Sequence, residues 1–122
     1  MGDRGVIELT GHHGQSQDIF FYTHWSASRL PELVAEGLDR GSSRWGDESY
    51  LNRIVFDSLT QLEGGLTGFG ISPWCPEDAW LKVSIDHAGQ TVQVLHNELG
   101  GSVWLPATEP LSFAEFVEAY KK

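Results

Sequence analysis

The stretch IFFYTHWSASRLPELVAEGLDRG, residues 19–41, decides the fold, because its pattern changes from that of a strand to that of a helix. Residues 19–25 are mostly apolar on both alternating sides, which is typical of an interior strand that is covered on both faces. Pro31 suits the first turn of a helix, and Gly41 suits its end. We therefore predict a strand over 19–25 that leads directly into a helix over 30–40.

A second amphipathic helix is predicted over residues 48–63, because Asp47 is a good N-cap and apolar residues recur after it with a helical period. The link GSSRWG between the two helices is short, so they should pack as an antiparallel hairpin. The expected inward-facing residues are Leu30, Leu33, Val34 and Leu38 in the first helix, and Leu51, Ile54, Val55, Leu59 and Leu62 in the second. The expected ion pairs within each helix are Glu36 with Arg40 and Arg53 with Asp57.

The second half of the chain has the period of strands, and turn sequences such as HAGQ and NELGG separate its runs, as in an antiparallel meander. Together with an early strand, the predicted runs beside 19–25 are residues 6–10, 68–72, 80–86, 91–96 and 102–105. A last helix begins at Ser112, which should form a capping box with Glu115. The order ββααββββα predicts one α+β domain over residues 1–122. Its sheet is mostly antiparallel, with a two-helix hairpin layer and a short C-terminal helix.

Composition narrows the classes of function. Seventeen acidic and eight basic residues give a net charge of −9, which disfavours binding to nucleic acid or to anionic membranes. No apolar run approaches the roughly 20 residues that span a bilayer, and the N-terminus has no signal-peptide pattern. Cys75 is the only cysteine, so no disulfide can form within the chain and a reducing compartment is expected. We therefore predict a cytoplasmic protein.

Patterns for metal binding, covalent catalysis and phosphate loops are weak. The adjacent pair His12-His13 could chelate a metal, and folding could recruit His24, Cys75, Asp86 or His87. No H-x-x-x-H, H-E-x-x-H or C-x-x-C spacing preorganises such ligands, so we interpret the pair as a solvated turn. No group near Cys75 in the sequence would lower the pKa of its thiol, and GGLTGFG matches neither phosphate-loop pattern. We predict no metal and no cofactor, and we lean against an enzyme.

The junction between the first long strand and the first helix is the strongest candidate site. Its expected ligand-binding residues are Tyr22, His24, Trp25, Ser28 and Arg29. Backbone amides at a helix start lack intrahelical partners, and together with hydroxyl and guanidinium groups they favour an anion. Residues 64–68 should return near this end, because the second helix runs back. In the alternative interpretation, the serines only cap the helix and the tryptophan only seals the hairpin.

A second candidate place is Arg44 with Trp45, in the link between the helices. It lies about 15–20 Å from the junction, at 1.5 Å per residue of helix. The two places are therefore separate unless a homo-oligomer brings them together. Here too, the tryptophan could instead close the end of the helical hairpin.

Several motifs resemble those of a family of small proteins found in bacteriophages, prophages and actinobacterial or haloarchaeal genomes. The motifs are GDRGVIEL at the start, YTHW at 22–25, LPELV at 30–34, RWGDESYLNRIVF at 44–56 and TGFGIS at 67–72. The resemblance covers roughly residues 1–95. The family often continues into an NEYP or NDYP segment, whereas this chain has PWCPEDAW, so no role of that loop is transferred. The family has no established activity, and the resemblance implies only a mobile-element setting.

In that setting we hypothesise a non-enzymatic binding protein whose purpose is counter-defence. Small phage proteins commonly inhibit a host protein or sequester a host signalling molecule, which is an association with the setting rather than a deduction from residues. A sponge would hold a nucleotide-like anion with its arginines and tryptophans. An inhibitor would cover a basic site of a host protein with its acidic surface. The alternative class is a small enzyme acting on a nucleotide or phosphate ester, with His24 as acid/base.

Overall fold

The computed structural model describes residues 2–12, 17–61, 68–97 and 103–121. The strands are β1 (Gly5–Thr10), β2 (Ile19–Thr23), β3 (Phe69–Ser72), β4 (Leu81–Asp86), β5 (Thr91–Asn97), β6 (Trp104–Pro106) and β7 (Leu111–Ser112). The helices are α1 (Leu30–Arg40), α2 (Glu48–Thr60) and α3 (Phe113–Tyr120), with 3-10 turns at Ala27–Arg29 and Ser42–Arg44. Within these residues, no helix has the length and apolar character needed to cross a membrane.

The strands form one mixed sheet in the order β3-β2-β1-β4-β5-β6, with β7 paired to the far end of β5. Every pairing is antiparallel except that of β1 with β4, which is parallel. The predicted α+β class with a mostly antiparallel sheet and a C-terminal helix is therefore confirmed. The predicted meander is wrong in one respect, because β3 pairs with β2 instead of with β4. The apolar strand β1 takes the place between them, where Val6, Ile7 and Leu9 are fully buried.

One face of the sheet carries the main core. Side chains of β1, β2, β4 and β5 point toward the helices at every second position, as the strand period requires. They pack with α1, α2 and α3 around Leu38, Leu59, Phe113 and Phe116, which are all essentially inaccessible to solvent. The predicted capping box of α3 is present, since Ser112 and Glu115 bond each other's backbone amides at 3.1 and 2.9 Å. Leu62 and His13, named in the sequence analysis, lie outside the described residues.

The helices α1 and α2 pack as the predicted hairpin, but their ion pairs cross between them. Arg40 contacts Asp57 at 3.0 Å and donates to the Ser58 hydroxyl at 2.8 Å. Both charges were predicted to pair within their own helices. The close approach explains the difference, because a Cβ added at Gly37 would lie only 3.1 Å from the Cα of Val55. The guanidinium of α1 therefore reaches the neighbouring helix.

The opposite face of the sheet is covered in part by residues 73–80, which connect β3 to β4. A small second core forms there from Val6, Phe20 and Ala79, with Cys75 and Trp104 packed against it. Beside it, the Lys82 ammonium lies 4.7 Å from the centre of the Trp104 ring and 3.9 Å from Glu8. Phe20 and Phe21 thus enter different cores, which accounts for the aromatic residues on both sides of β2.

Leu38→Ala should lower the free energy of unfolding by about 2–5 kcal/mol, because the side chain is fully buried and its removal leaves a cavity. Leu105→Ala removes the same atoms from a residue that is 41% exposed, and it should cost less than about 1 kcal/mol. Urea denaturation of both variants measures the difference. Equal losses would contradict the assignment of the core.

Candidate functional site

The junction between β2 and α1 begins two residues earlier than predicted. β2 ends at Thr23, whose hydroxyl accepts a hydrogen bond from the backbone amide of Ser26 at 3.1 Å. The amide of His24 then donates to the carbonyl of Gly68 at 2.8 Å. Trp25 lies against Gly68, where φ is +94° and an added Cβ would come within 2.4 Å of the indole ring. The chain after α2 therefore returns to this end, as the antiparallel hairpin predicted.

His24 lies at the centre of a polar cluster. The Tyr22 hydroxyl is 3.1 Å from His24 Nδ1, and Arg4 Nε donates to the same nitrogen at 3.3 Å. Because an arginine N–H can only donate, Nδ1 carries a lone pair and the neutral ring has its proton on Nε2. Arg4 also bonds Asp78 at 2.5 Å. Burial and the nearby Asp78 raise the pKa of Tyr22, and Arg4 opposes them.

The start of the helical segment already holds an anion, and it is the carboxylate of Asp3. This group accepts from the Ser28 amide at 2.9 Å, from the Ser28 hydroxyl at 2.6 Å and from the Trp80 indole N–H at 2.7 Å. Partial burial alone would raise the pKa of Asp3, but the bonds from Ser28 and Trp80 outweigh it and lower the pKa. Arg29 pairs with Glu32 at 3.3 Å. The position predicted for a ligand anion is thus filled by the chain itself.

The second candidate place is built differently. The Trp45 indole N–H donates to the carbonyl of Leu38 at 2.9 Å, and its ring packs edge-on against Phe113 with centroids 5.4 Å apart. Arg44 stacks over Tyr50 at 5.0 Å and lies 3.8 Å from Asp47. These contacts are those of a residue that closes the end of a helical hairpin. The structure brings Tyr22, His24 and Trp25 together, whereas Arg44 and Trp45 lie at the other end of α1.

The residues that complete the junction were not predicted from the sequence. Asp3, Arg4, Asp78 and Trp80 reach it from two segments, one before β1 and one before β4. Each of these segments precedes one of the two parallel neighbours β1 and β4, so the strand pairing places them side by side. The only local signal was an Asp-Arg pair directly before a strand. We call the group Asp3, Arg4, His24, Trp25, Asp78 and Trp80 the junction surface.

The junction surface exposes two large aromatic side chains. Trp25 is 49% and Trp80 is 43% exposed. The edge of Trp25 contacts the ring of His24, with centroids 4.7 Å apart, and Trp80 is held by Asp3. Both indoles are therefore fixed by hydrogen bonds or ring contacts while a large part of each remains open to solvent. Such rigid, half-exposed indoles are typical of protein-binding surfaces.

The other candidate groups lie elsewhere. Burial, followed by weaker and opposing effects of Lys82 and Glu8, raises the pKa of the Cys75 thiol, which disfavours the reactive thiolate. Within the described residues, no group of three or more His, Cys, Asp and Glu side chains is arranged to hold a metal ion. A separate groove of about 550 Å³ lies beside β2 and β3, and His12, Ile19 and Ile71 contribute to its lining.

Comparisons with protein-family models, with curated proteins and with solved structures gave no significant match. The function must therefore be argued from the residues of the chain.

Asp3→Asn should lower the free energy of unfolding by about 1 kcal/mol, the usual effect of losing a side-chain cap at a helix start. The difference in free energy of unfolding between this variant and the wild-type protein should persist down to about pH 4, which is the ordinary pKa of a free carboxyl group. Since the folded pKa of Asp3 is lower still, the difference should disappear only as the pH falls through that folded value. Urea denaturation at a series of pH values measures it.

Glu118→Gln is the matched control, because it neutralises an exposed carboxylate on α3. It should change the stability by less than about 0.5 kcal/mol. A loss in Asp3→Asn no greater than in this control would show that Asp3 does not stabilise the helix start.

Proposed function

We propose that the protein is a non-enzymatic binding protein of the bacteriophage or mobile-element type, and that it acts by covering a basic surface of a host protein. The observation that carries the proposal is the junction surface, in which two half-exposed tryptophans stand among carboxylates. The charge of the chain supports a basic partner, the fixed side chains of the junction surface support the place of contact, and the resemblance to mobile-element proteins supports the purpose.

Charge favours the inhibitor over the sponge. Of the seven lysines and arginines within the described residues, six form ion pairs with a carboxylate. The pairs are Arg4–Asp78, Arg29–Glu32, Arg40–Asp57, Arg44–Asp47, Lys82–Glu8 and Lys121–Asp39. A small anion would have to displace Glu32 or Asp47 to reach Arg29 or Arg44, against a net charge of −9. A basic protein surface is instead attracted by the net charge of −9.

Rigidity favours the junction surface as the contact. Trp80 is fixed by its bond to Asp3, and that carboxylate is in turn fixed by Ser28. A side chain that is already ordered loses little conformational entropy on binding. Indole rings also attract lysine and arginine side chains through their π faces. A partner that presents arginine or lysine next to an apolar patch fits both features.

The setting comes from the resemblance to mobile-element proteins. A phage protein that covers a basic, nucleic-acid-binding site of a host protein would block that site, which gives counter-defence as the purpose. The acidic surface would accelerate encounter with such a site and exclude acidic partners.

Trp25→Ala and Trp80→Ala should each weaken binding to the host partner by about 30-fold, the effect of losing roughly 2 kcal/mol at an interface hot spot. The partner is isolated on the immobilised protein from a host lysate, purified and measured by titration calorimetry. Its affinity should fall as salt rises from 50 to 300 mM, and it should also be weaker for Glu77→Lys, which reverses the exposed carboxylate directly before Asp78 in the sequence. Trp74→Ala is the matched control, because Trp74 is 66% exposed and follows the opposite end of β3.

Three results would contradict the proposal. The partner could bind Trp25→Ala and Trp80→Ala as well as Trp74→Ala, which excludes the junction surface. A cyclic dinucleotide or ADP-ribose derivative could raise the melting temperature of the wild-type protein but not of Arg29→Ala or Arg44→Ala, which supports the sponge. His24→Asn could abolish the function of the protein while its folding and its affinity for the ligand stay normal, which supports the enzyme with His24 as acid/base.

A further inference from the structure

Three elements meet at a pair of histidines on the helix side of the sheet. His12 follows β1, His87 follows β4 and Asn52 lies on α2. The Asn52 amide contacts Nε2 of His12 at 3.0 Å and Nε2 of His87 at 2.7 Å. The two rings lie 4.9 Å apart between centroids, and His87 is only 5% exposed. We call His12, Asn52 and His87 the histidine bridge.

A single amide imposes a constraint on both rings. Its oxygen can only accept a hydrogen bond and its nitrogen can only donate one. Asn52 Oδ1 accepts from Nε2 of His87, so Nδ1 of His87 bears the lone pair when that ring is neutral. Asn52 Nδ2 donates to Nε2 of His12, so the proton of His12 lies on Nδ1. Reversing the amide exchanges the two tautomers, and the rings still differ.

The constraint limits the charge that the bridge can carry. The ring that faces the amide nitrogen must keep a lone pair on Nε2, so it must be neutral. The bridge therefore tolerates at most one protonated ring, and a second proton would place one N–H group against another. The Nδ1 atoms of both rings are buried and have no hydrogen-bond partner within the described residues, so a proton on either Nδ1 would lack a hydrogen-bond acceptor there.

The surroundings of His87 also disfavour its protonated form, because their net effect is to lower its pKa. Burial is the largest effect on His87 and lowers its pKa, and the neighbouring His12 lowers it further. Glu48 on α2 and Asp86 on β4 oppose this but do not overcome it. On the side of His12, Asp18 contributes to the lining of the same groove. A neutral His87 is thus the form that the fold favours.

We propose that the histidine bridge is an acid-sensitive clasp. A proton on each ring would place an N–H group of one ring against the N–H group of Asn52, so acidification below about pH 6 breaks the bridge and separates His12 from α2. Because His12 contributes to the lining of the groove beside β2 and β3, its separation opens that groove at one end. At neutral pH the clasp fastens the end of β1 to the helical layer.

The sign of the pH dependence follows from linkage. In the unfolded chain, His87 has its ordinary pKa near 6.5. In the folded chain its pKa is lower, so the ring is protonated only at lower pH. The unfolded state binds more protons between these two values, so stability is fully present above about pH 6.5 and is lost as the pH falls toward the folded pKa. For one group, the folding equilibrium constant falls by at most about tenfold per pH unit in this range.

His87→Gln provides the test, because the glutamine amide can replace the bond from Nε2 to Asn52 but does not titrate. Between pH 6.5 and 5.5 the folding equilibrium constant of the wild-type protein should fall by up to about fivefold more than that of His87→Gln. His96→Gln is the matched control, since it removes a histidine that pairs with Leu81 at the opposite end of β4, away from the histidine bridge. Equal pH dependence in wild type and His87→Gln would overturn the proposal.

A second measurement does not depend on a variant that folds. Nitrogen-15 NMR of the wild-type histidine rings at pH 7.5 should show His12 and His87 as opposite neutral tautomers. On acidification to pH 5.5, the protection of amides from hydrogen exchange, relative to the intrinsic rate at the same pH, should fall near His12 and Asn52 but stay unchanged in β5. Identical tautomers, or protonation of both rings with no change in exchange, would overturn the clasp.

Discussion

The burial of β1 between β2 and β4 is the constraint on which the other features depend. Val6, Ile7 and Leu9 are fully buried, so this strand contributes to the cores on both faces of the sheet. Its parallel pairing with β4 requires the chain to cross from one strand to the other, and the helical hairpin lies within that crossover. Because a shift by one residue would turn Ile7 and Leu9 to the wrong face, the register of β1 is strongly fixed. Both ends of the strand are fixed with it.

Each end of β1 supports one of the two polar clusters. Asp3 and Arg4 precede the strand and reach Ser28, His24 and Asp78. His12 follows it and reaches Asn52. The same parallel neighbour, β4, contributes Trp80 at one end and His87 at the other. One strand pair therefore positions both clusters, which explains why residues so far apart in sequence meet in space.

The sequence was informative where the cause is local. A helix start needs only its cap and its period, so the predicted bounds of α1, the cap at Asp47 and the box at Ser112 are confirmed. The order of the strands depends on which of them is buried most, and alternation within one strand does not contain that information. For this reason β3 was assigned to the wrong neighbour. The ion pair of Arg40 with Asp57 was missed for a related reason, since it depends on how closely two helices approach at Gly37.

In the candidate site too, the residues that are neighbours in sequence could be predicted, whereas their partners from distant segments could not. Tyr22, His24 and Trp25 were predicted together because they are neighbours in one segment, and they do form one cluster. Their partners Asp3, Arg4 and Trp80 depend on the pairing of β1 with β4, which could not be read from local pattern. The acidic composition did indicate that the groups expected to bind an anion would be paired within the chain, because in a chain of charge −9 a positive group seldom lacks a carboxylate nearby. Asp3 at Ser28 and Glu32 at Arg29 are instances of this effect. A chain that neutralises its own cations in this way retains an excess of carboxylates, so in the complex that we propose the positive charge would come from the partner.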